Sequence, residues 1–155
     1  MSSTVFERIE QMLTAQGVAF TVSRHEPVFT SEQAAAVRGV ALGSGAKALV
    51  VKAGEAFVLF VLPADRKLDS KKARAATGVK ELRFATKEEV LDWTGLAPGS
   101  IPPFGSLFGL PTACDPALAE HRNINFNAGD HSISVQMSYA DYVAVEQPTL
   151  VALTV

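Results

Sequence analysis

Few places in this chain could do chemistry. Lys47 opens an apolar run, Gly45-Ala46-Lys47-Ala48-Leu49-Val50-Val51. A lysine among small and aliphatic side chains is costly to bury unless its ammonium meets an anion. It reads either as a fixed positive charge facing a carboxylate or phosphate in a cleft, or as a strand-end lysine whose head snorkels to water. The second place is Gly95 to Gly105, with three glycines and three prolines in eleven positions. Glycine lets a main chain approach a ligand closely and proline stiffens it. Such a loop either presents N–H groups as an oxyanion hole or is a rigid connection over a sheet edge. The third is His131, in the turn Asn127-Ala128-Gly129-Asp130-His131. It is either solvated or orients a polar substrate group. The fourth is the segment from Asp65 to Arg74. Its basic residues Arg66, Lys67, Lys71, Lys72 and Arg74 are diluted by two aspartates. It reads as a solvated helix face or as a contact to a nucleic-acid backbone, and with no aromatics interleaved it does not suggest base stacking.

Other chemistries are excluded by pattern. There is no Gly-x-Ser-x-Gly elbow for a serine hydrolase. Gly43-Ser44-Gly45-Ala46-Lys47 lacks the four-residue gap of a phosphate loop, and Ala48 stands where Ser or Thr should follow the lysine. No Gly-x-Gly-x-x-Gly follows a strand, which argues against a dinucleotide fold. His25, His121 and His131 have no metal-ligand spacing, so no metal is expected. The single cysteine, Cys114, can form neither an internal disulfide nor a cysteine-based zinc cluster, which fits a reducing compartment.

Something must position these groups. With 155 residues, 48% hydrophobic and 19% charged, the chain is long and apolar enough for one domain, 1–155, with a real core. Fourteen basic against sixteen acidic residues leave a net charge of −2, which excludes a strongly basic nucleic-acid coat but not a local patch. The N-terminal MSSTVFERIEQML has no cationic start and no apolar stretch, so a secretory signal is not expected. No run approaches a membrane span, and the expected location is cytoplasmic.

Thr4 and Glu7 have capping-box spacing ahead of a helix whose apolar face is Val5, Ile9, Met12 and Leu13, ending at Gly17. Val18, Phe20 and Val22 alternate as a strand. Thr30 or Ser31 caps a second helix that Gly39 closes. Ala46–Ala53 and Ala56–Leu62 read as a hairpin across Gly54-Glu55. Asp69 caps a short helix closed by Gly78, Glu81–Ala85 is a short strand, and Thr86 with Glu89 caps a helix ending near Gly95. Leu107–Cys114 is expected to return to the sheet. Asn123–Asn127 and Ser132–Met137 form a second hairpin, Ser138 caps a turn or short helix, and Leu150–Val155 is a final strand. The sum is α/β: a mixed, antiparallel-rich β-sheet surrounded by helices.

Together these residues resemble the YbaK/prolyl-tRNA-synthetase-associated family, freestanding relatives of the synthetase's editing domain. The resemblance rests on His25-Glu-Pro with Thr30-Ser-Glu-Gln-Ala-Ala, Gly45-Ala-Lys47-Ala-Leu-Val-Val, Val61-Leu-Pro-Ala-Asp65-Arg-Lys-Leu, Gly99-Ser-Ile-Pro-Pro103-Phe-Gly105 and Asn127-Ala-Gly-Asp-His131 before Ser134-Val-Gln-Met-Ser138. It implies the mixed fold and hydrolysis of a mischarged aminoacyl-tRNA without cofactor. It implies catalytic roles for Lys47, which would engage the end of the tRNA, and for Gly99 and Ser100, whose main chain would lie at the scissile ester. It places Thr30, Ser31, Pro103, Phe104, Gly105, Gly129 and His131 at the substrate and the 66–74 basic residues on tRNA. The implied partner is the acceptor end of a mischarged tRNA, with alanyl-tRNA(Pro) first and cysteinyl, seryl or threonyl esters as alternatives, and prolyl-tRNA synthetase as a possible associate. Neither membrane nor DNA is expected. The competing readings are a tRNA-binding module without turnover and a small-molecule hydrolase.

Overall fold

In a computed structural model, the structure describes residues 3–155; Met1 and Ser2, which open the N-terminal stretch read as lacking a signal, lie outside it. The elements are α1 (Val5–Ala15), β1 (Phe20–Arg24), α2 (Ser31–Arg38), β2 (Ala46–Ala53), β3 (Ala56–Pro63), α3 (Ser70–Thr77), β4 (Leu82–Phe84), α4 (Lys87–Thr94), β5 (Thr112–Cys114), β6 (Asn123–Asn127), β7 (Ile133–Ser138), α5 (Tyr139–Glu146) and β8 (Thr149–Leu150). The caps lie where the side chains demand them. Thr4 and Thr86 form reciprocal capping boxes with Glu7 and Glu89. Thr30 caps α2, and Gly39 closes it in the left-handed conformation.

The strands make two sheets. One has the order β1-β7-β6, all antiparallel; the other, β4-β2-β3-β5-β8, is antiparallel through its first three strands and parallel at β5 and β8. An isolated parallel bridge, Gly45 to Asn125, ties the sheets together beside Lys47. The larger core lies between them. Ala46, Ala48, Val50, Leu59 and Val61 meet Phe6, Ile9, Leu13, Ile124, Phe126 and Val135 there. The alternate residues of the β2-β3 hairpin, Val51, Phe60 and Leu62, pack under Ala73 of α3 and Leu153 in a second core.

Two expected strands shrink. Of Leu107–Cys114, only Thr112–Cys114 pairs with β3, because Gly105–Phe108 winds into a 3-10 turn and Gly109, at φ 72°, turns the chain. Of Leu150–Val155, little is strand. The buried Asp115 carboxylate accepts the N–H of Leu153 at 2.8 Å and of Thr154 at 2.9 Å, as well as the Thr154 hydroxyl at 2.8 Å. A side chain thus takes donors that a ladder would otherwise use.

Candidate functional site

The loop before β2 and the C-terminal end of β6 meet at α2 around a cavity of about 240 Å³. Its wall includes Phe29, Thr30 and Ser31 at the start of α2, Arg38 at its end, Ala46 to Leu49 of β2, Gly99 and Ile101 of the proline-rich loop, and Asn125 to Asn127 of β6. Lys47 and Gly99, 52 positions apart in sequence (99 − 47), therefore line one hollow.

Lys47 is half-buried, and its ammonium donates one long hydrogen bond, 3.4 Å, to the carbonyl of Arg66. Burial pushes its pKa below the ordinary lysine value; the Glu32 carboxylate opposes the shift and the Lys67 ammonium adds to it. Among the described residues no carboxylate pairs with it. The ammonium is thus desolvated and positively disposed toward an incoming anion.

The proline-rich loop is built around a tight turn. Pro98 and Gly99 occupy its centre, with Gly99 at φ 91°, and the Ser100 N–H returns to the Ala97 carbonyl at 3.3 Å. A proline followed by a glycine at positive φ is the pattern of a type II turn. The Gly99 carbonyl is held by the Asn127 side-chain amide at 2.7 Å. The N–H groups of Gly99 and Ile101 donate to no partner among the described residues, while Pro102 and Pro103 carry no N–H.

Other expected site residues lie behind this wall. Ser100 is buried, its hydroxyl donating to the Ala97 carbonyl at 2.8 Å and its carbonyl accepting from Gly129 N–H at 2.9 Å. It braces the turn and does not face the cavity. Pro103 gives its carbonyl to the Tyr142 hydroxyl at 2.7 Å, and Phe104 is fully buried edge-on against Phe126 and Tyr142. Gly105 is buried, with its N–H on the Thr112 hydroxyl at 3.0 Å. These three belong to the core, because the loop turns inward after Ile101. Gly129, at φ 82°, abuts Val5, where a Cβ would come within 2.8 Å. His131 does not line the cavity. Its ring lies 4.7 Å from that of Phe29, its Nδ1 is 3.1 Å from the Val28 carbonyl, and its Cε1 packs against Gly99. It props up two wall residues. Thr30 lines the cavity but its hydroxyl is already accepting from Gln33 N–H at 3.1 Å; Ser31 lines it with no hydrogen bond among the described residues.

The basic segment divides. By alternation along β2, Lys47 lies on the same side of the sheet as Leu49 and Val51, the side that α3 covers. Lys67 is near enough to affect the Lys47 charge. Lys67, Lys71 and Arg74 are unpaired among the described residues, whereas Arg66 pairs with Glu120 at 2.9 Å and Lys72 holds the Thr154 carbonyl at 2.7 Å.

The sequence reading missed Arg38, Asn127 and Phe29. Arg38 ends a helix, where a cation is expected merely to complement the dipole. Nothing local signals that its guanidinium turns inward to reach Ser134 and Asn127, both at 2.8 Å.

The two-sheet α/β frame thus holds a cation and unengaged main-chain N–H groups at a small hollow walled mainly by alanines and other apolar side chains, which is the equipment that holding and polarising an activated acyl bond requires. The family model described as aminoacyl-tRNA editing domain matches residues 25–145. The chain belongs to that family, and it is an aminoacyl-tRNA deacylase. It is 38% identical over 96% of its length, and 92% of the other protein, to the multifunctional Ser/Thr-tRNA deacylase ProXp-y of Escherichia coli. About half of it, 51%, is 35% identical to 14% of a proline–tRNA ligase from Thermosipho africanus. Its fold matches that of a solved structure described as a candidate trans-editing enzyme for prolyl tRNA synthetase, with a TM-score of 0.87 and 26% identity over 100% of this chain and 99% of that one.

Proposed function

We propose that this protein acts in trans on mischarged tRNA bearing a small amino acid, with serine or threonine first and alanine second. The observation that carries the reading is the shared hollow of Lys47 and Gly99. An aminoacyl ester is already activated, so the protein need only hold it, polarise its carbonyl and place water. No hydroxyl in the wall is hydrogen-bonded to a histidine or carboxylate among the described residues, as an activated serine would be. Water is therefore the nucleophile, aided by the neighbouring ribose hydroxyl. The Gly99 and Ile101 N–H groups take the charge that develops on the carbonyl oxygen. Lys47 takes the phosphate end of the tRNA, with Lys67, Lys71 and Arg74 along its path.

The size of the hollow sets the sieve. Small side chains of α2 and β2, Ala34, Ala35, Ala46 and Ala48, leave room for a short substituent, while Ser31, whose hydroxyl has no partner among the described residues, supplies a polar group for a substrate hydroxyl. Similarity to a Ser/Thr-tRNA deacylase supports the hydroxyl-bearing substrates. The alanine walls support an alanyl ester, and similarity to part of a proline–tRNA ligase supports tRNA(Pro) as its carrier and association with a prolyl system. The test is a panel of tRNAs charged with serine, threonine, alanine and cysteine. Ester loss well above the spontaneous rate, fastest for serine or threonine, is expected. Binding without ester loss on every member would reduce the protein to a tRNA-binding module and overturn the reading.

A further inference from the structure

Arg38 is the most heavily desolvated cation in the cavity wall. Its Nε donates to the Ser134 hydroxyl and its Nη2 to the Asn127 side-chain oxygen, both at 2.8 Å. Ser134 in turn meets His25 Nε2 at 2.8 Å. No carboxylate pairs with the guanidinium among the described residues. Burial alone pushes its pKa down to about 10, which still leaves it charged at neutral pH. A partly buried, desolvated arginine without a carboxylate costs stability unless it satisfies something else.

What it satisfies is the Asn127 amide. A side-chain amide has an acceptor end and a donor end that can exchange by a flip. Arginine only donates, so the Asn127 oxygen must face Arg38. Its nitrogen must then face the Gly99 carbonyl, which it reaches at 2.7 Å. Gly99 sits at φ 91° in a turn, with its own N–H unengaged among the described residues.

We propose that Arg38 is a positioning residue for the main chain at Gly99: it sets which way round the Asn127 amide lies, and through that amide it fixes the Gly99–Ser100 peptide, which lies between the two peptides whose N–H groups, those of Gly99 and Ile101, are open to the substrate ester. The inference rests on the deacylase reading of the site and adds a residue to it. Arg38 itself need not touch the substrate.

Two variants test it. Arg38→Lys keeps the charge, but a compact ammonium cannot reproduce the fork that reaches Ser134 and Asn127 together. Asn127→Asp gives Arg38 a carboxylate partner while removing the N–H that holds the Gly99 carbonyl and setting two oxygens against each other. Both are expected to lower kcat at least tenfold with KM for the mischarged tRNA within about threefold, because the lost contact lies on the ester side. The Asn127→Asp protein should melt at or above the wild-type temperature. In 15N NMR without substrate, the Gly99 and Ile101 amide signals should shift or broaden in both variants while those of α4 do not.

Unchanged kcat and unmoved loop amides would overturn the proposal. So would a rise in KM alone, which would place Arg38 on the tRNA, or an Asn127→Asp chain that fails to fold, because Arg38 should welcome the carboxylate. If the wild type deacylates nothing while the amides move as expected, the deacylase reading fails and the positioning network stands. If the wild type is active and the loop amides of both variants stay where they were, the deacylase reading stands and the positioning role fails.

Discussion

Removing the Lys47 ammonium separates folding from function with unusual clarity. In Lys47→Ala the fold loses one hydrogen bond, 3.4 Å long, to the Arg66 carbonyl. A neutral-acceptor bond of that length is worth less than about 1 kcal/mol, and deleting a half-buried charge returns part of its desolvation cost. The melting temperature should therefore move by no more than about 2–4 °C. The substrate loses much more. A charge-assisted hydrogen bond to a phosphate oxygen contributes about 1.5–3 kcal/mol, which corresponds to about a 10- to 150-fold fall in kcat/KM. Losing one phosphate contact should also flatten the dependence of log KM on log salt by about 0.7. The assay is initial-rate deacylation of seryl- or threonyl-tRNA across roughly 50 to 300 mM salt, a range that brackets physiological ionic strength, beside a circular-dichroism melt. Wild-type turnover in a folded variant, or a large fall with an unchanged salt slope, would refute the assignment of Lys47 to the tRNA end.

Three further outcomes follow from the same geometry. Burial pushes the Cys114 thiol up to about 12, so it should resist a thiol reagent at mildly alkaline pH and react in full only on denaturation; rapid labelling of the native protein would contradict its placement. Hydrogen bonds from Arg83, and then from the Thr86 backbone, hold the Glu89 carboxyl down at about 2 from 4.5. A depressed folded pKa gives stability that is present above about pH 4.5 and is lost as pH falls through about 2. Melts of Glu89→Gln should therefore depend less on pH across that window than wild-type melts, and parallel curves would exclude the coupling. Tyr142→Phe strips the buried Pro103 carbonyl of its donor, which should cost about 1–3 kcal/mol in urea denaturation; a neutral change would mean that the loop's inward turn does not depend on that bond.

How much could be read from the chain alone differs by element. Both capping boxes, the two hairpins and the closing glycines of α2, α3 and α4 were legible, because each is fixed by residues no more than a few positions apart. The Gly105–Phe108 turn and the loss of the C-terminal strand were not, because they depend on Thr112, Glu146 and Asp115, which reach them only through the folded chain.

The site divides in the same way. Lys47 stood out because an isolated cation in an apolar strand is expensive, and the Gly95–Gly105 loop because its glycines permit close approach and its prolines stiffen the chain. Both are local facts of sequence. Tertiary structure alone decided that Ser100, Pro103, Phe104 and Gly105 turn away from the cavity, that His131 supports its wall from behind, and that Arg38 reaches across to Asn127, 89 positions away. The physical reason is that side-chain type and short-range spacing set what a residue can do, whereas the direction in which it points is settled by long-range packing and by which distant donors and acceptors are left to be satisfied.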